Sequence, residues 1–256
     1  MSPANPPLIR QWMALPWLAI NPKLDLEKKS WKEADSVPFA REFFYKDNRE
    51  IADRLLYTSR FMILLLGTGL GWVIYAWSRA LYGEEGGLLS LSLYAFCPAF
   101  IAHSSIAHTD VGVTLFCALS AYFLWRTLEF SGFGNLLAFS LSFGLACAAK
   151  YNALLLGPLF LLVVLIRGGF LKFALIAAVV TVVSFLVVWA ATFFELKPLL
   201  WDGVPRMDEK LGYIAAISNA LFPGNETMRL GLQEVAQKIS IPMPSFILGV
   251  AGILRS

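Results

Sequence analysis

Four residues in this chain have the types and placement to do chemistry. The only two histidines, His103 and His108, fall within one short turn, His103-Ser104-Ser105-Ile106-Ala107-His108-Thr109-Asp110, which ends on an acid. Imidazoles beside a carboxylate can transfer protons or ligate a metal. This spacing matches no recognised metal motif, however, and a plain polar turn is the simpler reading. Asp110 stands where a long apolar run resumes, and an acid at a membrane edge is costly unless it is wet, paired or used. It is therefore either a functional carboxylate or, with Thr109, the cap of a helix whose positive end it neutralises; the two roles are compatible. Lys150 interrupts another apolar stretch. It can snorkel to an interface, neutralise an anion such as a lipid phosphate, or pair with Asp110.

The elements that hold these residues are membrane spans. Hydrophobic residues make up 57% of the chain and charged ones 15%, with a mean hydropathy of +0.63, whereas soluble domains carry roughly 25% charged residues. Residues 61–194 contain only Arg79, Glu84, Glu85, Asp110, Arg126, Glu129, Lys150, Arg167 and Lys172 as charges, too few to make a water-facing surface. Spans are expected at 61–82, 86–104, 110–126 and 171–194. The stretch 134–166 is too long for one crossing, and Lys150, Asn152 and Gly157-Pro158 divide it into a tight hairpin of two. No alternation suits a barrel, so the fold class is all-α: about six transmembrane helices.

The flanks differ from this core. Residues 7–20 (PLIRQWMALPWLAI) are apolar but too short to cross, and Pro16 interrupts them. Trp12 and Trp17 favour a lipid–water boundary, so an interfacial N-terminal helix is expected, lying across the spans. Residues 21–57 are polar with interspersed charges. The organisation expected is an extracytoplasmic loop with the interfacial helix over 1–60, a six-helix transmembrane domain over 61–194, and an extracytoplasmic tail over 195–256. The tail holds an amphipathic piece near 226–239 and ends on an apolar run that looks cut short. Arg79, Arg126, Arg167 and Lys172 collect on one side, which the positive-inside rule makes cytoplasmic. The 104–110 turn and Lys150 then share the outer face with both flanks.

Several functions recede on composition. A net charge of +3 without a basic block does not suggest nucleic acid. Cys97, Cys117 and Cys147 all lie in apolar runs and read as small core residues, not disulfides or metal ligands. Asn225-Glu226-Thr227 matches a glycosylation sequon, a triplet that chance often supplies.

The order of the motifs resembles one family. Asn5-Pro6-Pro7-Leu8 is similar to a His/Lys-Pro-Pro-Leu element of the C-type integral-membrane glycosyltransferases, near the protein O-mannosyltransferases and the aminoarabinose transferase of lipid A. Leu93-Tyr94-Ala95-Phe96-Cys97-Pro98, followed by Ala102-His103-Ser104 and Thr109-Asp110, looks like its second outer turn. Gly144-Leu145-Ala146-Cys147-Ala148-Ala149-Lys150-Tyr151 is similar to one of its span ends. The resemblance covers most of residues 1–195. It implies inverting transfer of a sugar from a polyprenyl-phosphate donor to a lipid, glycan or protein acceptor at the outer face of the membrane; a bacterial inner membrane fits the absence of obvious eukaryotic signals. Asp110 matches the family's second-loop acid, and Lys150 its span-end lysine. Asn5, Pro6 and Pro7 help shape the pocket, with His103 and His108 beside it. A divalent metal ion is the one cofactor the resemblance leaves open.

The chain also departs from the pattern. Asn5 replaces the usual His or Lys. The family's first span and first-loop acid are expected before residue 1, and a further outer part after residue 256. The expectation is thus a copy truncated at both ends, whose activity as a fragment is open. Two alternatives stand beside the transferase. A transporter would bury charges near the membrane midplane on broken spans, and a non-catalytic assembly subunit would need no outer pocket.

Overall fold

The computed structural model describes residues 5–33, 35–130, 132–199, 235–236 and 238–255. The sequon and most of the amphipathic piece near 226–239 lie outside the described residues. Two compact units are present: residues 7–22 with 51–191 form one, and residues 1–6, 23–50 and 192–256 the other.

The first unit is helical throughout. It comprises α1 (Leu8–Ala14), α2 (Trp17–Ile20), α5 (Ala52–Ala95), α6 (Pro98–Ser104), α7 (Asp110–Glu129), α8 (Phe133–Ala149), a 3-10 turn (Tyr151–Leu155) and α9 (Leu156–Ala191). Helices satisfy their own backbone, as lipid requires. Hydroxyls inside them do the same: Ser120, Ser140 and Ser142 donate to carbonyls four residues back, at 2.6–2.8 Å. Leu18, Ile166, Phe170 and Leu171 are exposed, as lipid-facing side chains are. The helix over 52–95, that over 110–129 and the segment 151–191 are long and apolar enough to cross a membrane, and α8 is a shorter apolar helix. The chain is an all-α membrane protein.

α5 is not one rod. Gly83, at φ +79° and ψ −176°, reverses the chain, a conformation that disfavours any residue with a Cβ. The second arm returns along the first. Ser90 Oγ meets Ser78 Oγ at 2.7 Å, and the Tyr94 hydroxyl donates to the Gly67 carbonyl at 2.7 Å. Gly169, at φ +72°, breaks α9 in the same way. Its arms both pack on α8 and run in opposite directions: Phe160 stacks edge-on against Phe143, and the Ser184 hydroxyl donates to the Ser140 carbonyl at 3.2 Å.

The expected 86–104 span is corrected in one respect, since the structure does not run it as one continuous helix. It ends at Ala95, and α6 restarts at Pro98 after an extended Cys97 (ψ 117°). Proline lacks the N–H that would continue the helix, and it pushes the preceding residue out of helical geometry. The N-terminal helix also breaks at Pro16 as expected. Neither α1 nor α2 can span. α1 touches four helices near one end of the bundle. Ile9 packs on Gly112 of α7 and Gln11 donates to the Ala191 carbonyl at the end of α9. Trp12 donates to the Met62 carbonyl of α5 at 2.8 Å, and α1 also contacts α8.

In the second unit α3 (Lys29–Lys32) and α4 (Ser36–Glu42) lead into a π-helical turn over Phe43–Asp47. Buried Asn48 closes this loop, accepting from the Lys23 N–H at 2.7 Å and donating to the Lys23 and Phe43 carbonyls. Lys28 pairs with Asp47 and Glu42. Strands β1 (Leu196–Pro198) and β2 (Ser240–Pro242) are antiparallel, with Lys197 opposite Ile241. The apolar C-terminal run forms α10 (Pro244–Arg255).

Close helix packing in the first unit depends on Gly144. A Cβ there would lie 2.8 Å from Val187 Cβ and 2.9 Å from the Ser184 backbone. Gly144→Val should therefore lower stability by about 1–3 kcal/mol through overpacking, read as a lower midpoint of denaturation in detergent. Gly134→Ala, where a Cβ meets nothing within 4 Å, should not.

Candidate functional site

α7 and α8 pack side by side and run antiparallel, so the start of one and the end of the other share a level. Asp110 is the first residue of α7, and Lys150 follows the last residue of α8. Each charge thus sits at the helix end whose dipole it complements: the acid at the positive N-terminus, the base at the negative C-terminus. Lys150 Nζ donates to Asp110 Oδ1 at 2.7 Å. Both side chains are only about one-third exposed, at 29% and 34%.

The other carboxylate oxygen faces the histidines. His108 Nδ1 lies 3.1 Å from Asp110 Oδ2 and His103 Nδ1 3.9 Å from the same atom. A single half-buried carboxylate therefore gathers an ammonium and two imidazoles. Of the alternatives open for Lys150, pairing with Asp110 is what the structure displays. The capping alternative takes a different form. Thr109 is the N-cap, but its geometry is helical and no side-chain bond closes the cap. Its buried hydroxyl oxygen has no hydrogen-bond partner.

Among the described residues, no group of three or more His, Cys, Asp or Glu is arranged to hold a metal ion. The donor set explains this. Asp110 is the only carboxylate at this site among the described residues, the Lys150 ammonium already occupies one of its oxygens, and a cation would have to displace it. The residues do not fit the metal that the resemblance left open. Cys97, Cys117 and Cys147 are free thiols.

Of the Asn5-Pro6-Pro7 element, Pro7 belongs to the same unit as Asp110, whereas Asn5 and Pro6 belong to the other. Pro7 precedes α1, and its carbonyl accepts from Gln11 N–H at 2.9 Å. Pro6 is fully buried. Reasoning from sequence missed Arg10. Its guanidinium lies half-buried on α1 and interacts with Tyr151, the residue after Lys150. Burial lowers its pKa from the ordinary value, and Tyr151 partly opposes that. The signal was present: Arg10 is the only charge in residues 7–20.

Four further basic residues lie toward the opposite end of the helical unit. Arg79 pairs with Glu84 at 2.7 Å across the Gly83 turn, and Arg167 pairs with Glu129 at 2.7 Å. Arg126 lies over the Tyr122 and Phe130 rings, and Trp77 packs against Tyr122 and Trp125. Lys172 lies beside Gly168 at the α9 reversal. These ionic groups sit at helix ends. The charges buried at mid-depth that a transporter would need are not found among the described residues.

A family model of dolichyl-phosphate-mannose-protein mannosyltransferases matches residues 38–193. That range takes in α5 to α9, the 103–110 turn and Lys150. No curated protein and no solved structure matches the chain.

The two-ended arrangement has a direct consequence for labelling. With Cys97, Cys117 and Cys147 changed to alanine, His108→Cys and Lys172→Cys should react with a membrane-impermeant maleimide from opposite sides of sealed vesicles. Reaction of both from one side would contradict the arrangement.

Proposed function

The chain belongs to the dolichyl-phosphate-mannose-protein mannosyltransferase family, and from that premise we propose that it moves a sugar from a polyprenyl-phosphate donor to an acceptor at the outer face of the membrane. Membership makes it a membrane glycosyltransferase of the mannosyltransferase type. The finer reading rests on one observation above all. Asp110 and Lys150, far apart in sequence, form a 2.7 Å ion pair at a helix junction, with two imidazoles beside it.

Asp110 is the catalytic residue in this reading. A donor phosphate entering the site competes for the Lys150 ammonium and frees Asp110 Oδ1. The carboxylate then takes the proton from the acceptor hydroxyl as its oxygen attacks the anomeric carbon. The anomeric carbon–oxygen bond breaks as the new bond forms, and polyprenyl phosphate leaves with the electron pair. Lys150 neutralises the charge that develops on the leaving phosphate. Attack opposite the leaving group inverts the anomeric configuration. His103 and His108 orient Asp110 and bind the sugar or phosphate oxygens, and Pro7 at the start of α1 shapes the wall.

The same reading sets the topology. Six crossings follow if α5 and α9 are each divided at their glycine reversals, with α6 completing the second. Residues 1–60, the 103–110 turn, Lys150 and the 195–256 tail then face the periplasm of a bacterial inner membrane. The end bearing Arg79, Arg126, Arg167 and Lys172 faces the cytoplasm, in keeping with the positive-inside rule.

Membranes containing the chain are tested for transfer of labelled mannose, and then of other sugars, from polyprenyl-phosphate donors. Asp110→Asn should lower the rate by roughly 100- to 10,000-fold, the usual contribution of a positioned base. Lys150→Gln should raise the donor KM as well as lower kcat, with partial recovery in Lys150→Arg. Transfer undiminished in Asp110→Asn would remove the residue from the mechanism.

A further inference from the structure

A cleft of about 510 Å³ opens on the flank of the helical unit, beside the turn that carries His103 and His108. Its lining includes none of Asp110, Lys150, His103 or His108. One wall is a face of α5 running from Arg60 through Phe61, Leu64 and Gly67 to Thr68, positions that recur at helical spacing. From Arg60 to Thr68 the wall rises about 12 Å, at about 1.5 Å per residue. The other wall comes from the end of α5 and from α6. The break at Cys97 is what creates the space, because α6 leaves the line of the helix before it.

The polar groups in the cleft are turned to protein. The Tyr94 hydroxyl donates to the Gly67 carbonyl and Thr68 Oγ1 to the Leu64 carbonyl, at 2.7 and 3.0 Å. Ser105 Oγ donates to the Ala102 carbonyl at 2.8 Å, and Ser104 hydrogen-bonds Tyr94. Carbon surface remains for a ligand, with one charge at the end. Arg60 is exposed, lies 5.8 Å over the Tyr57 ring, and has no ion pair with the described residues. It stands where the polar segment gives way to the apolar run 61–82, the depth of lipid head groups. Phe61, Leu64 and Ile101 on the rim are exposed, so the cleft opens sideways onto lipid.

We propose that this cleft binds an anionic phospholipid of the surrounding bilayer, with its phosphate on Arg60 and an acyl chain along α5 toward Thr68. The volume lies within the range of about 300–1,000 Å³ common for small-molecule sites. The hydroxyl protons are already committed within the protein, which leaves a sugar only acceptor oxygens, and a lone guanidinium at head-group depth selects negative charge. The site is independent of the transfer reaction and stands whether or not that reading holds.

The test is native mass spectrometry of the purified chain in neutral detergent, titrated with phosphatidylglycerol, phosphatidylcholine and polyprenyl phosphate. Wild type should retain phosphatidylglycerol about fivefold more tightly than phosphatidylcholine, the scale of one basic residue near a membrane surface. Arg60→Gln should erase that preference and Arg60→Lys keep it. Thr68→Trp, which fills the cleft from its exposed side, should weaken both phospholipids, and polyprenyl phosphate should bind Arg60→Gln as it binds wild type. Equal retention of the two phospholipids by wild type would overturn the proposal, as would undiminished phosphatidylglycerol binding in both Arg60→Gln and Thr68→Trp. Loss of polyprenyl phosphate binding in Arg60→Gln would assign the cleft to that carrier and overturn it equally.

Discussion

An antiparallel pair of apolar helices closed by one ion pair organises the helical unit. α7 and α8 carry almost no charge along their shared faces, and the ionic groups wait at their ends. Asp110 meets the positive end of one dipole and Lys150 the negative end of the other, so each charge is stabilised before the pair forms. Bringing them to 2.7 Å then needs only that the helices match in length and register. Partly buried charges are costly alone and tolerable together. The same arithmetic that makes the pair stable makes it available: a phosphate oxygen can take the carboxylate's place on the ammonium.

Small residues and reversals supply the rest of the packing. Gly112 admits Ile9 and so seats α1 beside the first turn of α7, two residues from Asp110. Gly144 lets α8 approach the returning arm of α9 closely. Hydrophobic driving force between helices is weak in lipid, so close approach and interhelical hydrogen bonds matter more there than in water. Ser78 with Ser90 and Ser184 with Ser140 are bonds of that kind. Gly83 and Gly169 reverse long apolar helices within the unit, and beside those turns Arg79 and Arg167 join Arg126 at the end opposite Asp110.

The break at Cys97-Pro98 has two effects. It frees α6 and the following turn to carry His103 and His108 toward Asp110, and it opens the cleft below Arg60. A continuous helix through 86–104 would have done neither, since its hydrogen-bond ladder would fix the direction of every residue in it. One proline thus shapes both the candidate transfer site and the flank beside it.

Composition and run lengths sufficed to establish an all-α membrane protein, because apolar stretches with charges only at their ends have no stable alternative in water or in lipid. The interruption at Pro16 and the grouping of Arg79, Arg126, Arg167 and Lys172 were legible for similar reasons: proline acts locally, and charges mark helix ends. The motifs around Asp110 and Lys150 also pointed to the family. Sequence left open whether Lys150 snorkels, binds an anion or pairs, because each choice depends on what stands opposite, and that is set by the antiparallel register of α7 and α8. Arg10 beside Tyr151, the split at Cys97 and the cleft under Arg60 were likewise decided only in three dimensions. Each depends on contacts between segments remote in sequence, and no local propensity encodes those.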